Sequence, residues 1–212
     1  LLAWMEDCIL FEYDATDFEN VVGELTPSRF EDLSCTKLST NVFKIEYSWI
    51  DPIRMRDKII SRDQKSVTMW IFCSEKIVSC FGNSESAISY AINSLSEKSS
   101  IVFKRINTYE YWSRVFNHSN GWFADLISVH VKKSPSAFDE REILNISIKD
   151  ISEDKLREFF VQDLVTNLTF TYQKTIFHLD LASVISFSDT VKEQEIFQVV
   201  NKIAGEFRNY HD

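Results

Sequence analysis

The chain has 212 residues, of which 44% are hydrophobic and 26% charged, with a formal net charge of −9. That length suits one large or two small domains with a sizeable core, and that hydrophobicity excludes a disordered chain. The negative charge repels a polyanion at long range and argues against a protein that grips duplex DNA along its whole surface.

Residues 1–40 read as an N-terminal strand followed by short helices. The start, LLAWMEDCILF, is broken by Glu6 and Asp7, unlike a signal peptide. Asp7 to Tyr13 alternates around Ile9, Phe11 and Tyr13, which predicts a strand. Thr16 with Glu19, and Ser28 with Glu31, each fit the S/T-x-x-E capping box, and Pro27 closes the first of the two helices. The acidic group Glu12, Asp14, Asp17 and Glu19 lacks the Gly and terminal bidentate Glu of an EF-hand loop, so it reads as a cap and a solvated face.

Residues 41–107 have the order of a βαββαβ unit. VFKIEYSWI alternates, with Phe43, Ile45, Tyr47 and Trp49 on one face. Asp51-Pro52 fits an N-cap and first helical residue, predicting a helix through Ile60 that buries Ile53, Ile59 and Ile60. Val67 to Cys73 and Lys76 to Phe81 are separated by a turn short enough to demand an antiparallel hairpin. Ser84 caps a helix whose Ala87, Ile88, Ala91, Ile92 and Leu95 form one apolar stripe, and Ser100 to Ile106 returns as a strand.

Residues 108–142 are a connector and strand rich in aromatics: Tyr109, Tyr111, Trp112, Phe116, Trp122 and Phe123. Trp112 and Phe116 are four apart, on one face of a short helix. Such density predicts a plug in the seam between two units, with a ligand-stacking groove as the sharper alternative.

Residues 143–212 repeat the order as βαββα. ILNISIKD is a strand, Ser152 caps SEDKLREFF, and Val165 to Tyr172 pairs with a longer strand, Thr175 to Phe187. Thr190 with Glu193 opens a final helix carrying Ile196, Val199, Val200, Ile203 and Phe207. Two segments even share letters: VTMWIFCSEK at 67–76 and VTNLTFTYQK at 165–174 have Val, Thr, Phe and Lys at the same places. The expected class is therefore α+β, with two ferredoxin-like (βαββα) units in tandem, each an antiparallel sheet with helices packed on one face. Over residues 42–106 and 143–209 this order resembles the ferredoxin-like plan, and the pairing of halves is similar to TATA-binding-protein-like duplications. The resemblance is one of topology and carries no functional residue with it.

Signatures of chemistry are sparse. With Gly only at 23, 82, 121 and 205, there is no Walker loop and no GxGxxG, and neither GxSxG nor HExxH occurs. No cofactor is expected. His178 and Asp180 point the same way off one predicted strand, and His130 lies on another. Were those strands neighbours, the three could orient a base or hold a metal in a hydrolase or nuclease.

The four cysteines, Cys8, Cys35, Cys73 and Cys80, form no CxxC pair and read as reduced core thiols. No run approaches the roughly 18 uncharged apolar residues of a membrane span, so a cytoplasmic protein with no membrane partner is expected. A first residue Leu, and an end shortly after an amphipathic helix, suggest a piece of a longer polypeptide. The leading expectation is a non-catalytic protein-interaction module that meets a protein partner, or a second copy of itself, through a sheet face or the aromatic seam of Trp112, Phe116 and Trp122. The alternative is a single-stranded nucleic-acid-binding domain that stacks bases on Tyr47, Trp49 and Trp70 beside Lys104 and Arg105, although large aromatics on that face read first as buried against helices or the other unit.

Overall fold

The structure is a computed structural model that describes residues 7–15, 18–23, 25–55, 58–117, 122–133 and 143–211. In chain order its elements are β1 (Asp7–Tyr13), α1 (Phe18–Gly23), β2 (Glu31–Ser39), β3 (Val42–Met55), β4 (Lys58–Phe72), β5 (Ile77–Gly82), α2 (Glu85–Ser99), β6 (Phe103–Arg105), α3 (Thr108–Asn117), β7 (Asp125–Lys132), β8 (Ile143–Ser147), α4 (Glu153–Val161), β9 (Val165–Tyr172), β10 (Thr175–Asp180), β11 (Ile185–Phe187) and α5 (Glu193–His211). The class is α+β, dominated by strands. Among the described residues no helix is long and apolar enough to cross a membrane. Two compact units are distinguished: a first holding 7–106 with 200–211, and a second holding 107–199, so that the division falls inside α5.

In the first unit the strands run in the order β2-β3-β4-β5-β1, with β6 also paired to β1, and all these pairs are antiparallel. One register row joins Ile45, Met69, Cys80 and Ile9, all at most 1% exposed. α2 lies against β4, β5 and β1. Its apolar stripe is the one that the sequence predicts: Ala87, Ile88, Ala91, Ile92 and Leu95 are buried. Ser84 caps it by accepting from the Ala87 N–H at 3.3 Å. Over β1, β4 and β5 the opposite face is buried as well, with Cys8, Leu10, Trp70, Phe72 and Phe81 at 1% exposure or less, whereas on β3 and β2 it carries exposed Glu46, Ser34 and Thr36. The stretch of α5 that belongs with this unit has Val200, Ile203 and Ala204 fully buried. Cys8 and Cys80 are core thiols, and burial pushes both well above the usual thiol range. Cys35 differs from the expectation: it stands exposed on β2.

The helix expected over 51–60 is absent. β3 continues to Met55 and pairs back on β4 through Met55↔Lys58, giving a hairpin of 14- and 15-residue strands. Asp51-Pro52 opens no helix; instead the register shifts between Ile50 and Pro52. A bulge is where a strand tolerates a residue with no N–H to donate. Ile53, Ile59 and Ile60 are β-branched, and strand pairing outweighs the cap signal. Likewise the Ser28–Glu31 motif does bring the Ser28 N–H to the Glu31 carboxylate at 2.8 Å, but β2 follows it rather than a helix. β1, placed by the sequence reading in an N-terminal segment, pairs with β5 and β6. The first unit therefore lacks the βαββαβ order, and the tandem ferredoxin-like plan does not describe it.

In the second unit the order is β11-β10-β9-β7-β8, again antiparallel throughout. β8 and β9 are joined through α4, with β7 lying between them. The strand expected from Thr175 to Phe187 is broken into β10 and β11 by a turn in which Ser183 has φ 64°. On one face Leu168, Phe170, Phe177, Leu179 and Ile185 are at most 1% exposed. Trp112 of α3 meets Phe170 edge-on at 5.6 Å and Phe160 of α4 at 5.4 Å, so both helices cover this face. The two look-alike segments are each a strand entering a hairpin turn, and the matched Lys76 and Lys174 both adopt left-handed conformations. β9 and β10 are joined by Gln173 and Lys174 alone, both at positive φ, as a type I′ turn requires.

Gly82 is a close-approach glycine. A Cβ there would sit 2.9 Å from Ile88 Cγ1 and 3.3 Å from Val67 Cγ2, both buried. Gly82→Ala is expected to lower unfolding stability by about 1–3 kcal/mol through overpacking. Gly205→Ala, with nothing within 4 Å of its added methyl on α5, is expected to raise it by about 0.5–1 kcal/mol. Urea denaturation of the two variants checks both signs.

Candidate interaction surface

A half-covered antiparallel sheet alternates apolar and polar side chains along each strand, because successive residues point to opposite faces. The second unit does this across all five of its strands. Opposite the Phe170 and Phe177 face, two register rows cross the sheet. One joins Asn145, His130, Asn167 and Asp180; the next joins Ser147, Ser128, Thr169, His178 and Ser186. Thr171 and Ile176 continue the face on β9 and β10. Asn145 and Ile176 are exposed, Thr169 is buried, and the others are half-buried.

Charge on this face is confined to its margin. Asp125 and Lys132 stand at the two ends of β7. The Asp180 carboxylate accepts from the Val184 N–H at 2.8 Å and so closes the turn between β10 and β11. Inside that margin the face offers hydroxyls, amides and two imidazoles. His178 Nδ1 is 3.0 Å from Thr169 Oγ1. Burial, followed by the charge of His130, lowers the His178 pKa below its ordinary 6.5. Asn167 Oδ1 is buried without a hydrogen-bond partner.

The sequence-predicted residues fall into three groups. Tyr47, Trp49 and Trp70 are 3%, 3% and 1% exposed, as their reading as buried aromatics expects, and they are not the open stacking platform of the nucleic-acid alternative. Tyr47 stacks on Trp49 at 5.4 Å, and Trp49 on Tyr90 of α2 at 4.6 Å, while Trp70 meets Phe81 edge-on in the core. The Tyr47 hydroxyl donates to Glu31 at 2.6 Å and lies 2.9 Å from Ser94 Oγ. Lys98 closes an ion pair on the same carboxylate. Burial works to raise the Glu31 pKa, but the Lys98 ammonium, the Tyr47 hydroxyl and the Ser28 N–H outweigh it and hold it at about 2.

Trp112 is 2% exposed and touches Tyr109, Phe116, Phe160 and Phe170. It is core of the second unit, with Phe116 and Trp122 half-buried beside it. Lys104 and Arg105 are exposed and engaged with Glu12 at 2.7 Å and Glu85 at 3.1 Å.

His178 and Asp180 share one side of β10, as the sequence suggested; His130 is on the same sheet face, but β9 lies between its strand and theirs, so the neighbouring strands that the three-residue constellation requires are not found. Among the described residues no group of three or more His, Cys, Asp or Glu is arranged to hold a metal ion. What sequence reasoning missed is the breadth of the polar face. Its members come from five strands, and only the pairing register brings Asn145, Ser128 and Ser186 into line with the histidines. No protein-family model matches the chain, and no curated protein does either.

Two pH windows follow. His178 has a depressed folded pKa, so its share of stability is full above 6.5 and lost as pH falls through the folded value. Glu31 is depressed too: its share is full above 4.5 and lost as pH falls toward about 2. Urea midpoints measured from pH 7.5 downward are expected to decline in two stages. His178→Gln should remove the first stage and Glu31→Gln the second. Loss of the charged hydrogen bonds at Glu31 is expected to cost about 1.5–3 kcal/mol at neutral pH.

Proposed function

We propose that this chain is a non-catalytic interaction module that docks a partner protein on the polar sheet face of its second unit. The carrying observation is that the middle of that face, Ser128, His130, Asn167, Thr169, His178 and Ser186, bears no carboxylate or ammonium, its charges standing only at the rim in Asp125, Lys132 and Asp180. A sheet face kept only for solubility is expected to use Lys and Glu freely, whereas the centre of a protein interface is depleted of charge. Ser, Thr, Asn and His supply adaptable hydrogen bonds to a partner, as they do in binding loops. Ile176, 45% exposed, and Leu181, 44% exposed, add apolar contact beside them.

Base stacking finds less support. Tyr47, Trp49 and Trp70 are buried, and among the described residues the polar face carries no Phe, Tyr or Trp. Catalysis by His178 and Asp180 also finds less, since the Asp180 carboxylate is committed to its turn.

A photo-crosslinking residue placed at Ile176 is expected to capture a protein from native lysate. Ile176→Arg, a change at an exposed position, is expected to weaken that partner's recovery by tenfold or more, roughly the loss of one central contact. Sedimentation of the pure chain separates a second copy from a different protein as the partner. Equal recovery with Ile176→Arg, or no crosslink from a monomeric sample, would sink the reading.

A further inference from the structure

The first unit holds a cavity of about 600 Å³, beside the end of β1 and the turn between β4 and β5. That volume is in the range of small-molecule sites. Its apolar lining includes Ile77 at 2% exposure, Ile106 at 9%, the Tyr13 ring, and Val102, which stands 72% exposed. An aliphatic side chain so open to water, next to an apolar recess, gains by being covered.

Its charged lining is uneven. Glu12, Asp14 and Glu75 face Lys76 and Lys104, three carboxylates against two ammoniums. Lys104 pairs with Glu12 at 2.7 Å and Lys76 with Asp14 at 3.4 Å. Glu75 is half-buried and has no ion-pair partner among the described residues; its charge adds, after burial and Cys73, to what raises the pKa of the neighbouring Tyr13 phenol. The wall that carries it is held in an unusual conformation, for Lys76 has φ 56° and its carbonyl accepts from the Tyr13 N–H at 3.0 Å. A left-handed lysine costs about 1 kcal/mol or more and persists where surrounding structure enforces it.

We propose that this cavity is a binding site for a small organic cation: a primary amine on an apolar stem, with the ammonium at Glu75 and the stem against Ile77, Val102 and Ile106. An anion would meet the unpaired carboxylate, and a neutral apolar molecule would leave it unpaired. The formal charge of −9 further favours a cation over an anion on approach. The site is distinct from the polar face of the second unit and stands independently of the function proposed for it.

Phenethylamine is the probe, with phenylacetate, phenethyl alcohol and methylamine as controls, read by amide chemical shifts and calorimetry at about millimolar concentration, as suits a fragment. Phenethylamine is expected to shift Glu75, Lys76 and Val102 saturably, while the anion, the neutral analogue and the stemless amine bind at least about fivefold more weakly. Glu75→Gln is expected to weaken phenethylamine about fivefold, and Val102→Ser, at an exposed position, also to weaken it. Unchanged thermal unfolding of both variants shows that they remain folded. Absence of saturable shifts, equal binding of phenylacetate, or undiminished affinity in Glu75→Gln overturns the proposal.

Discussion

The constraint on which everything else rests is the two-residue repeat of an extended chain. Each strand must choose what to show on each of its two sides, and the choice can be read from its letters. In the first unit the central strands are apolar on both sides: Val67 to Phe72 reads VTMWIF and Ile77 to Phe81 reads IVSCF. Both sides are accordingly buried, one of them under α2. In the second unit Phe177 and Leu179 alternate with Ile176, His178 and Asp180, so one side forms core with α3 and α4 and the other does not. The same rule thus produces central strands buried on both sides in one unit and a sheet with a usable surface in the other.

Much of this was legible locally. The bounds of β1 and the buried stripe of α2 are those that the alternation and the 3.6-residue period predict, because each pattern is complete within its own segment. Asp51-Pro52 shows where local reading ends. The pair carries a strong helix-start signal, yet pairing of β3 with β4 continues past it to Met55↔Lys58, and that energy comes from residues on the other strand. Thr175 to Phe187 looks like one strand for a related reason: the Asp180 turn depends on a carboxylate reaching the Val184 N–H, which no hydrophobic pattern encodes.

The candidate surface was legible only in part. His178 and Asp180 could be placed on one side of a strand from spacing alone, and they are. Their company could not, since Asn145, Ser128 and Ser186 come from strands whose order is set by the crossover through α4 and by two register shifts between β7 and β9. The aromatic residues read first as core, and the stacking alternative fails for a plain reason. Tyr47 and Trp49 stand on the correct side of their strand, but that side faces α2, where Tyr90 and Lys98 meet them. A large ring is worth more in a core than on a surface.

The two-residue connection of Gln173 and Lys174 therefore governs more than a chain reversal. It leaves no slack, so it pins Phe177 beside Phe170 and His178 beside Thr169. Lengthening it by one amino acid while keeping β9 in place would rotate every later position of β10 through half a turn. Imidazole and carboxylate would then be driven into hydrocarbon, and phenyl rings out into water.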